Sequence, residues 1–437
     1  MLSGVDGTVP SLKKALNALD LPKEGDKVLA REEQDVSKVM DWASRTGTAV
    51  VPEGKGAYAA YGNPVRRPAA TLSLEPMQEG IDHSAGDLVV TVPAGWTLAE
   101  LQVRLRQAGQ MLPLDPPHPS VTTVGGAVAL GLTGPKRLKY GAVRDTVIGL
   151  RGVLPGGEVI RSGGQVVKNV AGYDLNKLWV GSMGTLGVMT RCTFKLRPLP
   201  STETALLVEV PDWSVMSGFC RQLLDAPLEP AALEVLNCSS FNRLSGGDRP
   251  AGPGVMIGFE DEEQAVRVQE DRVTELVEAA GVAVRERWRG NGASKAWEEL
   301  GGLSPHALDE KPEEKRMAIR FMVRPGQTVD LLREVDRLCR EKEVPVMIYG
   351  GAGTGIGRAI FEGKAMSLES VLRLTREMRD CAESRSGYAV IEHASGPVRE
   401  AVSAWGRLPA GFVLMQGIKS KLDPECLLNP GRFVGGI

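Results

Sequence analysis

Hydrophobic residues recur along this chain at two spacings, one typical of helices and one typical of strands. Residues 33–45 carry apolar side chains such as Val36 and Met40 at helical spacing, which predicts an amphipathic helix. A second helix is predicted to begin after Thr97, because Thr97 and Glu100 have the spacing of a capping box. Short apolar runs bounded by glycine and proline predict strands at 48–51, 88–92, 147–154 and 158–161.

The segment Pro198-Leu199-Pro200 separates this region from a repeating one. Between residues 201 and 395 the order strand, helix, strand, strand, helix, strand occurs twice, which predicts a duplicated ferredoxin-like unit. The predicted strands are 205–210, 232–236, 255–259, 282–287, 317–323, 344–349, 359–362 and 388–392. The predicted helices are 213–225, 262–280, 328–341 and 367–384. The residues between 288 and 316 are predicted to be a polar connection.

These patterns predict an α+β protein in three parts. The first domain is expected at residues 1–200, with two subdomains that divide near residues 80–86. The second domain is expected at 201–395. A C-terminal segment at 396–437, with a helix at 413–422, is expected to return to the first domain.

Composition excludes several function classes. The 437 residues include 52 basic and 54 acidic side chains, for a net charge of −2, so nothing indicates nucleic acid or an anionic membrane surface as a partner. The six cysteines form no CxxC pair, which argues against iron–sulfur and zinc sites, and their scatter favours a reducing compartment. No apolar run approaches the ~20 residues of a membrane helix. We therefore expect a cytoplasmic protein that contacts a membrane only through partners.

Glycine clusters are the main chemical signal. The sequence GSMGTLG at 181–187 is followed at once by a predicted strand, and PEGKGAY at 52–58 and TTVGG at 122–126 are similar clusters. Without a Cβ atom, such backbone can bring its N–H groups close to a phosphate. Plain structural turns are the alternative interpretation of the same glycines.

The stretch from Ser162 to Val188 fits the pattern SGGxVVKNVAGYDLxKLxVGSxGTLGV, and NPGR at 429–432 and KYGAVRD at 139–145 are further matches. This chain resembles the FAD-binding subunits of bacterial glycolate oxidases, flavoproteins of the vanillyl-alcohol oxidase and p-cresol methylhydroxylase type. The resemblance implies a two-subdomain FAD-binding domain and a second domain that forms a cap over the flavin ring. It also implies FAD as cofactor, bound non-covalently because the loop at 52–58 contains no histidine.

The family motifs place the expected FAD contacts. They are Pro52, Gly54, Lys55, Gly56, Ala57, Thr122, Thr123, Gly125, Gly126, Thr133, Gly134, Tyr140, Gly141, Asp145, Asn169, Gly172, Tyr173, Gly184, Thr185, Gly187, Val188, Asn429 and Arg432. Tyr140, Asn169 and Tyr173 could equally fix the loops through hydrogen bonds, and for Asp174 that role is favoured.

Among four histidines, His393 is the best candidate for a general base, because it ends the last predicted strand of the second domain. His83, His118 and His306 are interpreted as structural. Arg320 is the first candidate to bind the carboxylate of a substrate, and Arg324 and Arg358 are two further candidates. For each of the three, a solvated arginine without such a role is the alternative interpretation. In relatives that oxidise 2-hydroxy acids, metal-binding histidines lie in motifs such as HAGDGN. The matching GGAGTG at 350–355 has no histidine, so no metal is expected.

The resemblance implies an FAD-dependent oxidoreductase that works as a subunit of a glycolate-oxidase-like 2-hydroxy-acid dehydrogenase complex. A larger FAD-binding catalytic subunit and an iron–sulfur subunit would be its partners. Two alternatives stay open. One is a self-sufficient dehydrogenase for glycolate or D-lactate with His393 as base. The other is a scaffold subunit that holds FAD without catalysis.

Overall fold

The computed structural model describes residues 19–25, 27–67, 69–165, 173–247, 252–309, 316–362 and 367–437. Its strands are β1 Lys23–Glu24, β2 Lys27–Leu29, β3 Ala49–Glu53, β4 Ala69–Ser73, β5 Asp82–Ser84, β6 Val89–Pro93, β7 Gln110–Met111, β8 Val147–Val153, β9 Val159–Gly163, β10 Val188–Lys195, β11 Arg197–Pro198, β12 Thr202–Glu209, β13 Ala232–Leu236, β14 Gly254–Asp261, β15 Ala283–Arg289, β16 Met317–Met322, β17 Met347–Gly351, β18 Ile356–Phe361 and β19 Tyr388–His393. Its helices are α1 Glu33–Thr46, α2 Leu98–Arg106, α3 Val124–Leu130, α4 Arg137–Tyr140, α5 Val143–Thr146, α6 Asn176–Trp179, α7 Trp213–Asp225, α8 Cys238–Ser245, α9 Glu263–Ala280, α10 Asn291–Gly302, α11 Thr328–Glu341, α12 Leu368–Glu383, α13 Gly396–Ala401 and α14 Phe412–Leu422.

The N-terminal part, residues 19–200, contains two main sheets. The first has the order β1-β2-β4-β3, and β4 runs parallel to both β2 and β3. Helix α1 packs on this sheet through the apolar face that the sequence predicts, with Val36 and Met40 fully buried. A left-handed Gly47 ends the helix and lets the chain turn directly into β3.

The second sheet of the N-terminal part is antiparallel and has the order β5-β6-β10-β8-β9. Helices α2 and α3 pack against it and share one hydrophobic core with it. The capping box of α2 is present: the Glu100 N–H donates to Thr97 Oγ1, and the Thr97 N–H donates to a Glu100 carboxylate oxygen at 2.8 Å. The sequence therefore predicted this helix start correctly.

The central part, residues 201–395, is one antiparallel sheet of eight strands in the order β15-β12-β14-β13-β17-β18-β16-β19. If the strands of each half, β12–β15 and β16–β19, are numbered 1 to 4 in chain order, the sheet order is 4-1-3-2 followed by 2-3-1-4. The second strands of the two halves, β13 and β17, therefore pair at the centre of the sheet. Helices α7, α9, α11 and α12 cover one face of the sheet. Helices α8 and α10 cover part of the other face.

Helix α10 corrects the prediction of a polar connection after residue 288. Its buried Ala293, Ala296, Trp297 and Leu300 recur at helical spacing, which is a signal that the sequence contained. The glycines around this segment obscured the signal. A Cβ atom at position 258 would lie 2.6 Å from the Trp297 indole. Gly258, which has no Cβ atom, therefore lets the helix pack closely on the sheet.

The C-terminal tail, residues 396–437, returns to the N-terminal part. The Val50 N–H donates to the Leu427 carbonyl at 2.8 Å, and Val50 forms a parallel bridge with Leu428. On α14, the buried Lys419 ammonium donates to Asp423 at 2.6 Å and to the Thr185 carbonyl at 2.8 Å. These bonds fix the tail against the loop that precedes β10. No helix within the described ranges is both long and apolar enough to cross a membrane.

Candidate functional site

Four distant segments meet along one groove of the N-terminal part. They are the loop after β3, the start of α3, the loop before β10 and the C-terminal tail. Thirteen of the predicted contact residues line this groove. They are Pro52, Gly54, Lys55, Gly56, Ala57, Thr123, Gly125, Gly126, Gly184, Gly187, Val188, Asn429 and Arg432. The sequence analysis did not name other lining residues, including Tyr58 and Met183 within the glycine clusters at 52–58 and 181–187, and Ala94 after β6.

The loop at residues 54–58 lines the groove and carries a run of backbone N–H groups. Among the described residues, no carbonyl or side chain accepts a hydrogen bond from the five N–H groups of this loop. Consecutive free N–H groups on a turn form a concave site for an anion. The arrangement therefore fits the diphosphate of a nucleotide cofactor.

Gly54 and Thr123 explain why two loops far apart in sequence can lie side by side. A Cβ atom on Gly54 would lie 2.3 Å from Thr123 Oγ1 and 2.5 Å from Thr123 Cγ2. Thr123 is itself fixed, because its hydroxyl accepts from the Gly126 N–H at the start of α3. Glycine is thus required at position 54 because the two loops approach each other closely there. Side by side, the two loops form one wall of the groove.

The sequence predicts that the Gly125 N–H faces a phosphate, but in the structure this N–H is used within the chain. That N–H donates to the Ala94 carbonyl at 2.9 Å, and a Cβ atom on Gly125 would lie 2.9 Å from the Ala94 methyl group. The glycine therefore lets α3 pack against the chain after β6. It shapes the groove without supplying a donor.

The loop before β10 is held by the tail. The Asn429 side-chain amide donates to the Met183 carbonyl at 2.8 Å, and Gly184 has φ of +65°. Gly187 lies where a Cβ atom would be 2.1 Å from the Trp179 ring. Gly184 is thus required for its left-handed backbone conformation, and Gly187 for its close approach to Trp179. Both glycines also line the groove.

The half-buried Arg432 contributes a positive charge to the groove. Its guanidinium donates to the carbonyls of Tyr61 at 3.1 Å, Tyr58 at 2.9 Å and Ala59 at 3.2 Å. Burial is the main cause that lowers the pKa of Arg432 to about 10, and Arg399 acts in the same direction. No carboxylate within the described ranges forms an ion pair with it. An anion in the groove would therefore be stabilised by this charge.

Comparison with known families agrees with this geometry. Residues 27–163 match an FAD binding domain, and residues 199–433 match the C-terminal domain of FAD linked oxidases. This chain belongs to the FAD-linked oxidase family. FAD is its cofactor, and the chain is an oxidoreductase. The free amides of residues 54–58 and the Arg432 charge fit the anionic part of that cofactor.

Three relatives are 26% to 39% identical to the chain over the aligned residues. Glycolate oxidase subunit GlcD of Bacillus subtilis is 26% identical over 93% of this chain and 88% of its own length. A D-lactate dehydrogenase of Archaeoglobus fulgidus is 28% identical over 92% and 89%. Glycolate oxidase subunit GlcE of Escherichia coli is 39% identical over 46% of this chain and 57% of its own length.

Solved structures share the fold at low identity. Alkyldihydroxyacetonephosphate synthase superposes with a TM-score of 0.70 at 16% identity, covering 93% of this chain and 77% of the other. A chitooligosaccharide oxidase superposes with a TM-score of 0.68 at 14% identity, covering 95% and 97%. The chain therefore shares its architecture of mixed helices and sheets with both of these structures.

Several predicted contacts are not among the residues that line the groove. Thr122, Thr133, Gly134, Tyr140, Gly141, Asp145, Tyr173 and Thr185 do not line it, and Asn169 and Gly172 lie outside the described residues. The Tyr140 hydroxyl donates to Glu260 of the central part at 2.5 Å, whereas Tyr173 is 95% exposed. Asp145 accepts from the Ala142 N–H at 2.9 Å. Tyr140 thus contributes to the interface between the parts, and Asp145 fixes the local chain.

The candidate catalytic residues lie on the central sheet. His393 ends β19 and is buried, and it is not among the residues that line the groove. Arg320 lies 3.2 Å from the Glu392 carboxylate, which also accepts from Arg358 at 2.8 Å. The sequence named both arginines but missed Glu392, although it directly precedes His393. Within the described ranges no group of three or more His, Cys, Asp and Glu is placed to hold a metal ion.

This cluster lies against aromatic residues of the N-terminal part. The Arg320 guanidinium is 5.8 Å from the Tyr61 ring centre. Burial raises the pKa of the Tyr58 hydroxyl, the charge of Glu392 raises it further, and the charge of Arg358 lowers it. Tyr58 itself lines the groove and donates to the Pro117 carbonyl at 3.0 Å. The arginine cluster is therefore adjacent to the end of the groove at Tyr58.

Glu234, on β13, is a buried carboxyl group beside this cluster. Desolvation raises the pKa of Glu234 to about 8, despite the opposing effect of Arg358. The folded chain therefore keeps a proton that the unfolded chain releases near pH 4, so the free energy of unfolding falls as pH rises from about 4 to about 8.

We expect Glu234→Gln to remove this dependence. Relative to wild type, the free energy of unfolding of the variant should increase between pH 5 and pH 8 by on the order of 3 kcal/mol. Urea denaturation across that pH range measures the difference, and the exposed Glu286→Gln on β15 is the control. Parallel pH profiles for wild type and Glu234→Gln would contradict the assignment.

Proposed function

We propose that this chain is the FAD-binding subunit of a glycolate-oxidase-like 2-hydroxy-acid dehydrogenase complex and takes part in its electron transfer. The observation that carries the proposal is the groove, in which the five free backbone N–H groups of residues 54–58 and the half-buried Arg432 of the C-terminal tail come together. The relatives named as glycolate oxidase subunits support the substrate class and the assembly.

FAD, when bound, supplies the site that accepts electrons from substrate. The chain's own residues would bind and orient it. The amides of 54–58 would hold the diphosphate, and Arg432 would offset its charge. No histidine or cysteine occurs among the described residues that line the groove, which supports non-covalent binding.

We also propose the three-part division of the chain. Residues 1–200 would bind FAD in two subdomains that divide near residues 80–86, and residues 201–395 would form the cap. The strand orders 4-1-3-2 and 2-3-1-4 support a duplicated ferredoxin-like unit for that cap. Residues 396–437 would close the FAD site through Asn429 and Arg432.

The proposed partners are a larger FAD-binding catalytic subunit and an iron–sulfur subunit, which would also provide any contact with a membrane. A self-sufficient dehydrogenase is the second candidate. It is favoured by the buried arginine cluster at the interface between parts, which could hold a substrate carboxylate. The position of His393 gives it less support, because that side chain does not line the groove.

Two preparations separate these functions. The chain is expressed alone and together with the proteins encoded beside it, and flavin and iron are counted per complex. The isolated chain should carry FAD but should not reduce an artificial acceptor with glycolate or D-lactate. The complex should do so, and its flavin absorbance should bleach. Turnover by the isolated chain would instead establish the self-sufficient enzyme, and a complex whose flavin in this chain never bleaches would favour a scaffold.

A further inference from the structure

A short segment of the central part, residues 303–307, contacts both of the loops that form one wall of the groove. The segment follows helix α10, and residues 303–306 are buried. The Ala307 N–H donates to the Ala57 carbonyl, in the loop at 54–58, at 2.8 Å. The Ser304 carbonyl accepts from His118 Nε2 at 2.5 Å, and His118 lies on the chain that leads to α3. One segment therefore holds the loop at 54–58 and the chain before α3 at the same time.

His118 connects this segment to the start of α3. Its φ is +54°, in the left-handed region that histidine and asparagine adopt more readily than most other non-glycine residues. Its carbonyl accepts from the Thr122 N–H at 2.9 Å, directly before the residue that caps α3. Because a carbonyl can only accept, the Nε2 that contacts Ser304 carries a proton. The His118 ring also packs against that of His306, with 4.3 Å between the ring centres.

The hydrogen bond at Ala57 sets the direction of a donor in the loop at 54–58. The Ala57 carbonyl and the Tyr58 N–H belong to one planar trans peptide, so they point in opposite directions. Since the carbonyl points towards Ala307, the Tyr58 N–H points away from it, and among the described residues this N–H has no acceptor. A hydrogen bond accepted by the carbonyl also polarises the peptide and strengthens its N–H as a donor. The central part thus orients a donor that it does not itself supply.

The Tyr58 side chain joins the two loops to each other. Its hydroxyl donates to the Pro117 carbonyl at 3.0 Å and lies 2.9 Å from Thr122 Oγ1. Residues 303–307 are not among the residues that line the groove. They can therefore affect a ligand in the groove only through the loops that they hold.

We propose that residues 303–307 position the loop at 54–58 for FAD, so that docking of the central part and FAD binding strengthen each other. Without the Ala307 bond the peptide after Ala57 can rotate, and FAD must order it at a cost in affinity. By linkage, FAD then stabilises the contacts of residues 303–307 by the same factor. Ala307 and His118 are positioning residues in this proposal, because neither lines the groove. The assignment of the loop to the diphosphate rests on the proposed function.

Ala307→Pro removes the donor with little other change. Ala307 is the first residue of a short 3₁₀ helix at Ala307–Asp309, and proline is tolerated at the first position of a helix. We expect the dissociation constant for FAD to rise about 3- to 10-fold, the range for loss of one hydrogen bond. Ala307→Gly keeps the N–H and should bind FAD as wild type does. Fluorescence titration of the flavin-free chain measures the affinity, and circular dichroism checks that each variant is folded.

His118→Asn tests the second contact independently. Asparagine also adopts the left-handed backbone, but its shorter side chain withdraws the donor from the Ser304 carbonyl. We expect a similar loss of FAD affinity. His83→Asn is the matched control, because His83 contacts Gln110 at 2.9 Å and is not among the residues that line the groove. It should bind FAD as wild type does.

Hydrogen exchange gives a readout that a purely structural contact would not change. In wild type, FAD should slow exchange of the backbone N–H groups in residues 303–307, although these residues do not line the groove. Exchange in β15, at the edge of the central sheet, should stay the same.

Three results would overturn the proposal. They are wild-type FAD affinity in both Ala307→Pro and His118→Asn, equal losses in Ala307→Gly and Ala307→Pro, and exchange at 303–307 that FAD leaves unchanged. All of these measurements use the isolated full-length chain and FAD alone. Failure of the proposed function, in which no 2-hydroxy acid reduces the flavin of the complex, is therefore a separate result.

Discussion

Gly54→Ala is expected to abolish most FAD binding while the fold is kept. The added methyl group would lie 2.3 Å from Thr123 Oγ1, and Thr123 has no room to yield because it caps helix α3. The loop at 54–58 must therefore move away from α3, and its free N–H groups move with it. We expect FAD affinity to fall at least tenfold and the free energy of unfolding to fall by about 1–3 kcal/mol, the usual cost of overpacking. Flavin absorbance per protein and FAD fluorescence titration measure the effect.

Two further variants make this prediction specific. Gly86→Ala adds the same methyl group where nothing lies within 4 Å and φ is not positive, so it should bind FAD normally. Thr123→Gly combined with Gly54→Ala removes the clashing side chain, and glycine is a tolerated helix cap. The double variant should recover much of the affinity. If it stays as impaired as Gly54→Ala, the steric explanation is wrong.

Arg432→Met is expected to weaken FAD binding by about 100-fold. The half-buried guanidinium lines the groove, and its hydrogen bonds connect the carbonyls of Tyr58 and Tyr61 to the tail. Its loss removes both the charge that faces the cofactor and the bonds that shape the loop, and each charge-assisted bond contributes about 1.5–3 kcal/mol. Fluorescence titration of the flavin-free chain measures the change.

Arg67→Met is the matched control, because Arg67 also donates to tail carbonyls, those of Glu425 and Cys426, but does so at the exposed surface away from the groove. It should leave FAD affinity within about twofold of wild type. Arg432→Lys should give an intermediate affinity, since a lysine keeps the charge but loses the planar fork. Equal affinity of Arg432→Met and wild type would exclude Arg432 from the cofactor site.

Local signals in the sequence predicted many elements closely. Helices α7 and α11 and strand β13 have the bounds that their periodicity predicted, and the Thr97 capping box begins α2 as expected. In these cases neighbours within a few residues decide the structure, so propensity and side-chain spacing suffice. Helix α10 was missed although its apolar spacing was present, because glycines and polar residues dominate its surroundings.

The sequence by itself determined the family, the cofactor and the glycine-containing loops that line the groove, because long glycine motifs are specific even without coordinates. Only the tertiary structure decided the role of each residue. Whether the N–H of Gly125 faces a ligand or donates to Ala94 depends on the chain about thirty residues earlier. Tyr140 donates to Glu260 of the central part and does not line the groove, because the contact between the N-terminal and central parts sets which polar groups meet. The tertiary structure brings the partners of hydrogen bonds and ion pairs together, and no local sequence pattern shows which distant group will be the partner.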